Sequence, residues 1–96
     1  MNENESLLRR LLTIVANVLV VLAIAEAVRL VVLFFGGIAD SNVGELVIRL
    51  TDPITIPFAL DPITTPYGGV FDVDTALTAV VMLLAEWIVT AIRPRV

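Results

Sequence analysis

Apolar residues run almost unbroken from Leu11 to Phe35, interrupted only by Thr13, Asn17, Glu26 and Arg29. A second run, Ala76 to Ile92, is broken by Thr78, Glu86 and Thr90. Neither shows the alternation of a half-buried strand, and both are long enough to read as helices. The first, at 1.5 Å per residue, reaches roughly 37 Å, more than the ~30 Å hydrocarbon core of a bilayer. The second, counted from Val73 behind a capping Asp72, reaches about 30 Å, one core thickness. Met1 to Ser6 is polar and is expected to fray, and Gly36-Gly37 is expected to end the first helix.

The chain between them is patterned differently. Val43, Leu46, Val47 and Leu50 fall at i, i+3, i+4 and i+7, one face of a short helix. Asn42 with Glu45 three residues later suits its N-terminal cap, and Pro53 stops it. With Glu45 and Arg49 opposite the stripe, the piece suits the membrane interface. Then come Asp52-Pro-Ile-Thr-Ile-Pro-Phe-Ala-Leu60 and the near-copy Asp61-Pro-Ile-Thr-Thr-Pro-Tyr-Gly-Gly69, which hold four of the five prolines. Proline removes a donor, locks φ and biases the preceding residue toward extended geometry, so no regular helix crosses this stretch. The near-repeat has two units, fewer than the three or so that a stacked array needs. Its uncharged side chains Ile54, Ile56, Phe58, Leu60 and Ile63 could enter the interface, and the segment is expected to sit against the outer end of the hairpin rather than loose in water.

The expected fold is an all-α membrane protein of one domain, 1–96. It is a two-span antiparallel helical hairpin, with spans at about 11–35 and 73–92. A short interfacial amphipathic helix lies at about 42–51, and a proline-rich non-helical outer segment covers 52–71. Composition agrees: 58% of residues are apolar, 17% charged, and mean hydropathy is +0.98. A soluble domain of this size needs far more polar cover.

Arginine placement orients the hairpin. Arg9 and Arg10 precede the first span, Arg93 and Arg95 follow the second, and the intervening stretch 37–74 holds six acids and Arg49 alone. The positive-inside rule then puts both termini in the cytoplasm and the proline-rich segment outside the plasma membrane. Trp87, near the far end of the second span, suits an interface anchor. A competing reading takes Arg9-Arg10, the apolar run and Ala23-Ile-Ala25 as a signal peptide. Cleavage there would leave the mature chain beginning with half a membrane helix.

There is no Cys and no His, which removes thiol chemistry, the commonest metal ligand and the commonest general base. The acids of the outer segment fall in turns and caps with no calcium-loop spacing, and no glycine-rich phosphate loop is present. A net charge of −4 without a basic patch argues against nucleic acid. No catalytic, cofactor-binding or metal residue is assigned, and no cofactor is expected.

In order and spacing the chain resembles the YggT family of small bacterial and plastid membrane proteins over about Leu19 to Ile92. The landmarks are Arg29 late in the first span, Leu50-Thr51-Asp52-Pro53 closing the short helix, and Pro57, Pro62 and Pro66. Gly68-Gly69 and an apolar pair then lead to Asp72 before the second span. Two features depart from the pattern: Ile54 to Leu60 carries no charge where members have Arg or Lys, and Asp74-Thr75 replaces Ser-Pro. The resemblance implies a link to envelope organisation, cell division or assembly of membrane complexes.

Ionisable groups inside a span are costly and mark functional candidates. Glu26 and Arg29, at i and i+3, are expected to pair, with Asp72 and Asp74 as second partners of Arg29. Asn17 and Glu86 are expected to hydrogen-bond between the spans, with Arg10 or Arg93 supplying charge. Ala16, Ala23 and Ala27 on the first span, and Ala79 on the second, mark close helix contact. The bilayer, other membrane subunits or further copies of the chain are the expected partners. Two functions follow: a non-enzymatic structural or assembly protein of the envelope, or a small proton- or ion-conducting subunit that uses Glu86.

Overall fold

A computed structural model of the chain describes residues 3–92. The first apolar run folds as one continuous helix, α1 (Glu3–Phe34). It starts earlier than expected. Residues 3–6 are helical rather than frayed, with Glu3 and Glu5 in the first turn, where the helix dipole favours acids. Nor does the glycine pair end the helix. The break falls at Phe35, whose backbone is extended (φ −106°, ψ 105°), and Gly36–Ala39 then forms a further helical turn, α2. The short amphipathic helix α3 covers Asn42–Thr51. Its cap is Ser41 rather than Asn42: Ser41 Oγ accepts from the Gly44 amide at 3.0 Å. The second apolar run is α4, Val73–Ile92.

The proline-rich segment holds the one departure from an all-α fold. Ile63–Thr64 (β1) and Val70–Phe71 (β2) pair antiparallel, with Ile63 opposite Phe71 and Thr64 opposite Val70. Thr65 N donates to Gly69 O at 3.0 Å and extends the ladder, leaving Pro66-Tyr67-Gly68 as a three-residue loop. Gly68 has φ +77°, the left-handed residue that such a loop requires. The second copy of the near-repeat is therefore a hairpin, whereas the first is the exit from α3. Only the left-handed position is shared, since Ala59, the counterpart of Gly68, also has positive φ (62°).

The hairpin folds back on the end of α1. Thr65 Oγ1 donates to Phe34 O at 2.7 Å, and Gly36 N donates to Tyr67 O at 3.2 Å. The Tyr67 ring packs beside Phe34 and Phe35, with centroids 5.6 and 5.1 Å away. The rest of the segment is tied to α4: Ile56 N donates to Thr78 Oγ1 at 2.9 Å and Leu60 N to Asp74 Oδ1 at 3.1 Å. As expected, the segment lies against the helix ends.

α1 and α4 pack on each other, and α3 packs on α1. The buried residues of this core are few and small or polar. Ala16, Ala23 and Val32 come from α1, Met82 from α4, and Gly44 and Thr51 from α3. Ala27, expected at the helix contact, is exposed, and Ala79 is half-buried. On α3, Val43, Leu46 and Leu50 point outward, while Gly44 and Thr51 face inward. Two helices, α1 and α4, are long and apolar enough to cross a membrane.

Gly69 marks the tightest approach between hairpin and helix. A Cβ there would lie well inside van der Waals contact of the Leu33 and Phe34 carbonyl oxygens, whereas one on Gly37 would meet nothing within 4 Å. Gly69→Ala is expected to lower stability in detergent by about 1–3 kcal/mol, because backbone atoms must move apart. Gly37→Ala, in an open helical turn, should be neutral or stabilising by up to about 1 kcal/mol. Thermal unfolding followed by circular dichroism distinguishes the two.

Candidate functional site

The polar residues of the interior meet at one end of the helix pair, around Arg29. Its side chain is 11% exposed. Nε donates to Thr75 Oγ1 on α4 at 3.0 Å. Nη1 faces three acceptors at the end of α3: Ile48 O at 3.0 Å, Thr51 Oγ1 at 2.9 Å and Asp52 Oδ1 at 2.7 Å. Asp72, at the residue before α4, stands 3.9 Å from Nε and also accepts the Thr75 hydroxyl. One guanidinium thus joins α1, the C-terminus of α3 and the N-terminus of α4. Planar geometry with donors in a fixed fork makes this possible for Arg and not for Lys.

Local sequence explains the acceptors. Ile48 O, in the last turn of α3, accepts the Asp52 amide at 2.9 Å and has a second lone pair for Arg29. Thr51 bonds back to Val47 O at 2.7 Å, which leaves its oxygen free to accept. Asp52 and Asp72 bracket the proline-rich segment, the first at the C-cap of α3 and the second just before α4.

Glu26 forms a second, separate knot one turn away. It is fully buried, and both its oxygens lie 2.9 Å from Thr55 Oγ1. It does not pair with Arg29 as expected. Among the described residues the ion pairs of Arg29 are with Asp52 and Asp72. Three residues on one helix bring Cβ atoms close, but the Arg29 side chain reaches along its length to α3 and α4 instead. Asp74, the other expected partner, accepts from Leu60 N. Beside Glu26, Thr75 and Thr78 are also fully buried, and Thr78 Oγ1 bonds back to Asp74 O at 2.7 Å.

The expected Asn17–Glu86 bond is not formed. Thr90 Oγ1 donates to Glu86 Oε1 at 2.9 Å within α4, and Glu86 is half-buried. Asn17 is exposed, about 100° around α1 from buried Ala16, so it is turned away from the packed face. Of the two arginines expected to supply charge there, Arg10 is exposed and forms no ion pair with Glu86, and Arg93 lies outside the described residues.

Of the residues marked by the family resemblance, Arg29, Thr51, Asp52 and Asp72 converge on one site. Gly68 and Gly69 build the hairpin turn and its contact with α1. Leu50, Pro53 and Pro57 are exposed and take no part in the cluster. The residues that the sequence reading passed over are threonines: Thr55, Thr65, Thr75 and Thr78. A readable signal existed. Each lies within three residues of Pro or Asp or interrupts an apolar run, where a hydroxyl needs a reason to be present. No family model, curated protein or solved structure matches the chain.

Two sets of variants probe the knots. Arg29→Ala takes the shared donor from Ile48 O, Thr51 and Thr75 and the counter-charge from Asp72, and should cost about 3–5 kcal/mol, as expected when one partner of a buried pair is removed. Asp52→Asn should cost under about 1 kcal/mol, because Asp52 is 60% exposed and its pair with Arg29 is screened. Chemical denaturation in mixed micelles reads both. Thr55→Val removes the hydroxyl that bonds Glu26 and should cost about 1–3 kcal/mol, while Thr90→Val, at the exposed end of α4, should stay within about 0.5 kcal/mol.

Proposed function

We propose that this chain is a non-catalytic integral membrane protein, a YggT-like structural subunit that helps assemble or organise membrane complexes of the cell envelope. In this reading α1 and α4 cross the plasma membrane as an antiparallel hairpin, both termini are cytoplasmic, and the segment 52–71 lies at the outer face. One observation carries it: the polarity of the fold is inverted. The largest fully buried side chains are Glu26, Thr75 and Thr78, while Leu11, Ile14, Val21, Ile24, Leu84 and Ile88 are exposed. A soluble domain buries the second kind and exposes the first. Only 17% of the residues in the apolar stretch of either long helix are buried, so most of that surface is left for lipid or for other helices.

An assembly role suits a scaffold whose polar groups are spent on its own structure. The Arg29 knot holds α3 and the outer segment rigidly against the helix ends, and the side chains of Ile56, Phe58 and Leu60 remain exposed there. A fixed apolar ledge at the outer surface is a surface that another membrane subunit can pack upon.

The chain has no Cys, so single-Cys reporters are unambiguous. Asp61→Cys should react with an impermeant maleimide on intact cells, and Asn4→Cys only after permeabilisation; the reverse pattern, or release of the chain by alkaline carbonate, would refute the reading. Phe58→Ala combined with Leu60→Ala should reduce the native complexes recovered in mild detergent at least several-fold without affecting insertion. Glu86→Gln should leave them unchanged. Full recovery with the double variant would count against an assembly role for the ledge.

A further inference from the structure

The outward face of α1 carries a pattern that the fold itself leaves unused. Ile14, Val21 and Val28 recur every seven residues, and Asn17, Ile24 and Val31 follow each of them by three. All six are exposed. They form a stripe turned away from Ala16, Ala23 and Glu26, the residues of α1 that are buried in the fold. Spacing of seven and three is the seam of a left-handed coiled coil, with a drift of about 20° per heptad that supercoiling absorbs. An open groove lined by Ile14, Asn17, Val18, Val21 and Leu22 lies along it.

Asn17 identifies the occupant. It is exposed six residues inside the start of the first apolar run, roughly 9 Å along the helix, where lipid tails offer its amide no partner. A carboxamide carries both a donor and an acceptor, so two such groups satisfy each other. Copies of one chain inserted by the same positive-inside bias share one orientation. Their α1 helices therefore run parallel, and Asn17 of one stands at the depth of Asn17 of the next. A different partner would need a polar residue at that depth by coincidence. The β-branched residues at the seam add a stiff apolar surface for close packing, and a single polar residue in it sets register.

We infer that the chain self-associates in the membrane through the α1 seam, with Asn17 of each copy hydrogen-bonded to Asn17 of a second copy. This rests on the membrane reading above.

The test uses the full chain in liposomes. Val21→Cys and Ile24→Cys should form disulfide-linked dimers on oxidation, and Val15→Cys, exposed on another face of α1, should not. Energy transfer between labelled copies, measured as the chain is diluted into lipid, should show Asn17→Leu weakening association by about 3- to 30-fold, the range for an interhelical polar contact. Asn17→Gln should retain it. Equal cross-linking from Val15→Cys, unchanged association of Asn17→Leu, or cross-links in cells solely to a different protein would overturn the pairing. Carbonate resistance measured on the same liposomes separates the two readings. An inserted monomer overturns the pairing alone, and a chain washed from the lipid overturns both.

Discussion

The junction of α1, α3 and α4 hangs on one guanidinium. Moving a charge out of water is expensive, and attraction repays it only where the remaining donors are also used. Arg29 meets this condition by collecting acceptors from three elements: Thr75 on α4, Ile48 O and Thr51 on α3, and Asp52 just beyond it, with Asp72 alongside. Apolar packing contributes little at this junction, because the buried residues around the guanidinium are Thr51 and Thr75 rather than large apolar side chains. The knot thereby adds directional bonds where the small apolar core of Ala16, Ala23, Val32 and Met82 does not reach.

The same logic explains the prolines. A segment at the rim of an apolar helix pair must find a partner for each backbone donor it keeps. Pro53, Pro57, Pro62 and Pro66 keep none. Several of the donors that remain are served individually: Ile56 N by Thr78, Leu60 N by Asp74, Thr65 N by Gly69. The buried threonines work in the other direction as well. Thr65 donates to Phe34 O, one of the carbonyls left open where α1 ends. Polar side chains from apolar stretches thus do the work that water would do in a soluble loop.

Much of this was legible in sequence and some of it was not, for reasons that differ by residue. The bounds of α3 and α4 follow from periodicity, Asp72 and Pro53, all local signals. That Arg29, Thr51, Asp52 and Asp72 belong together was visible as spaced landmarks, though not as contacts. The Glu26–Arg29 pair was the wrong inference because proximity on one helix says nothing of where a long side chain finds better acceptors. The Asn17–Glu86 bond failed because it depends on the rotation of each helix about its own axis. That rotation is set by small residues such as Ala16 and Ala23, which carry weak hydrophobic signal. Each strand of the hairpin has two residues, too few for alternation to show, yet Pro66-Tyr67-Gly68 held the turn chemistry in plain view.

Asn17 and Glu26 show what that rotation decides. They are nine residues apart, about two and a half turns, and so lie on opposite faces of α1. A span with two polar groups on opposite faces cannot satisfy both through one neighbouring helix. Glu26 takes the inward face, where Thr55 reaches it and no solvent does. Asn17 is left on the face that the fold does not cover. In water this would mean nothing, since an exposed asparagine is ordinary. In hydrocarbon an amide without a partner is a cost that a second helix removes. Arg29 and Glu26 make the chain a folded unit, and on the membrane reading proposed above Asn17, by the same rule of satisfying every polar group, calls for a second copy.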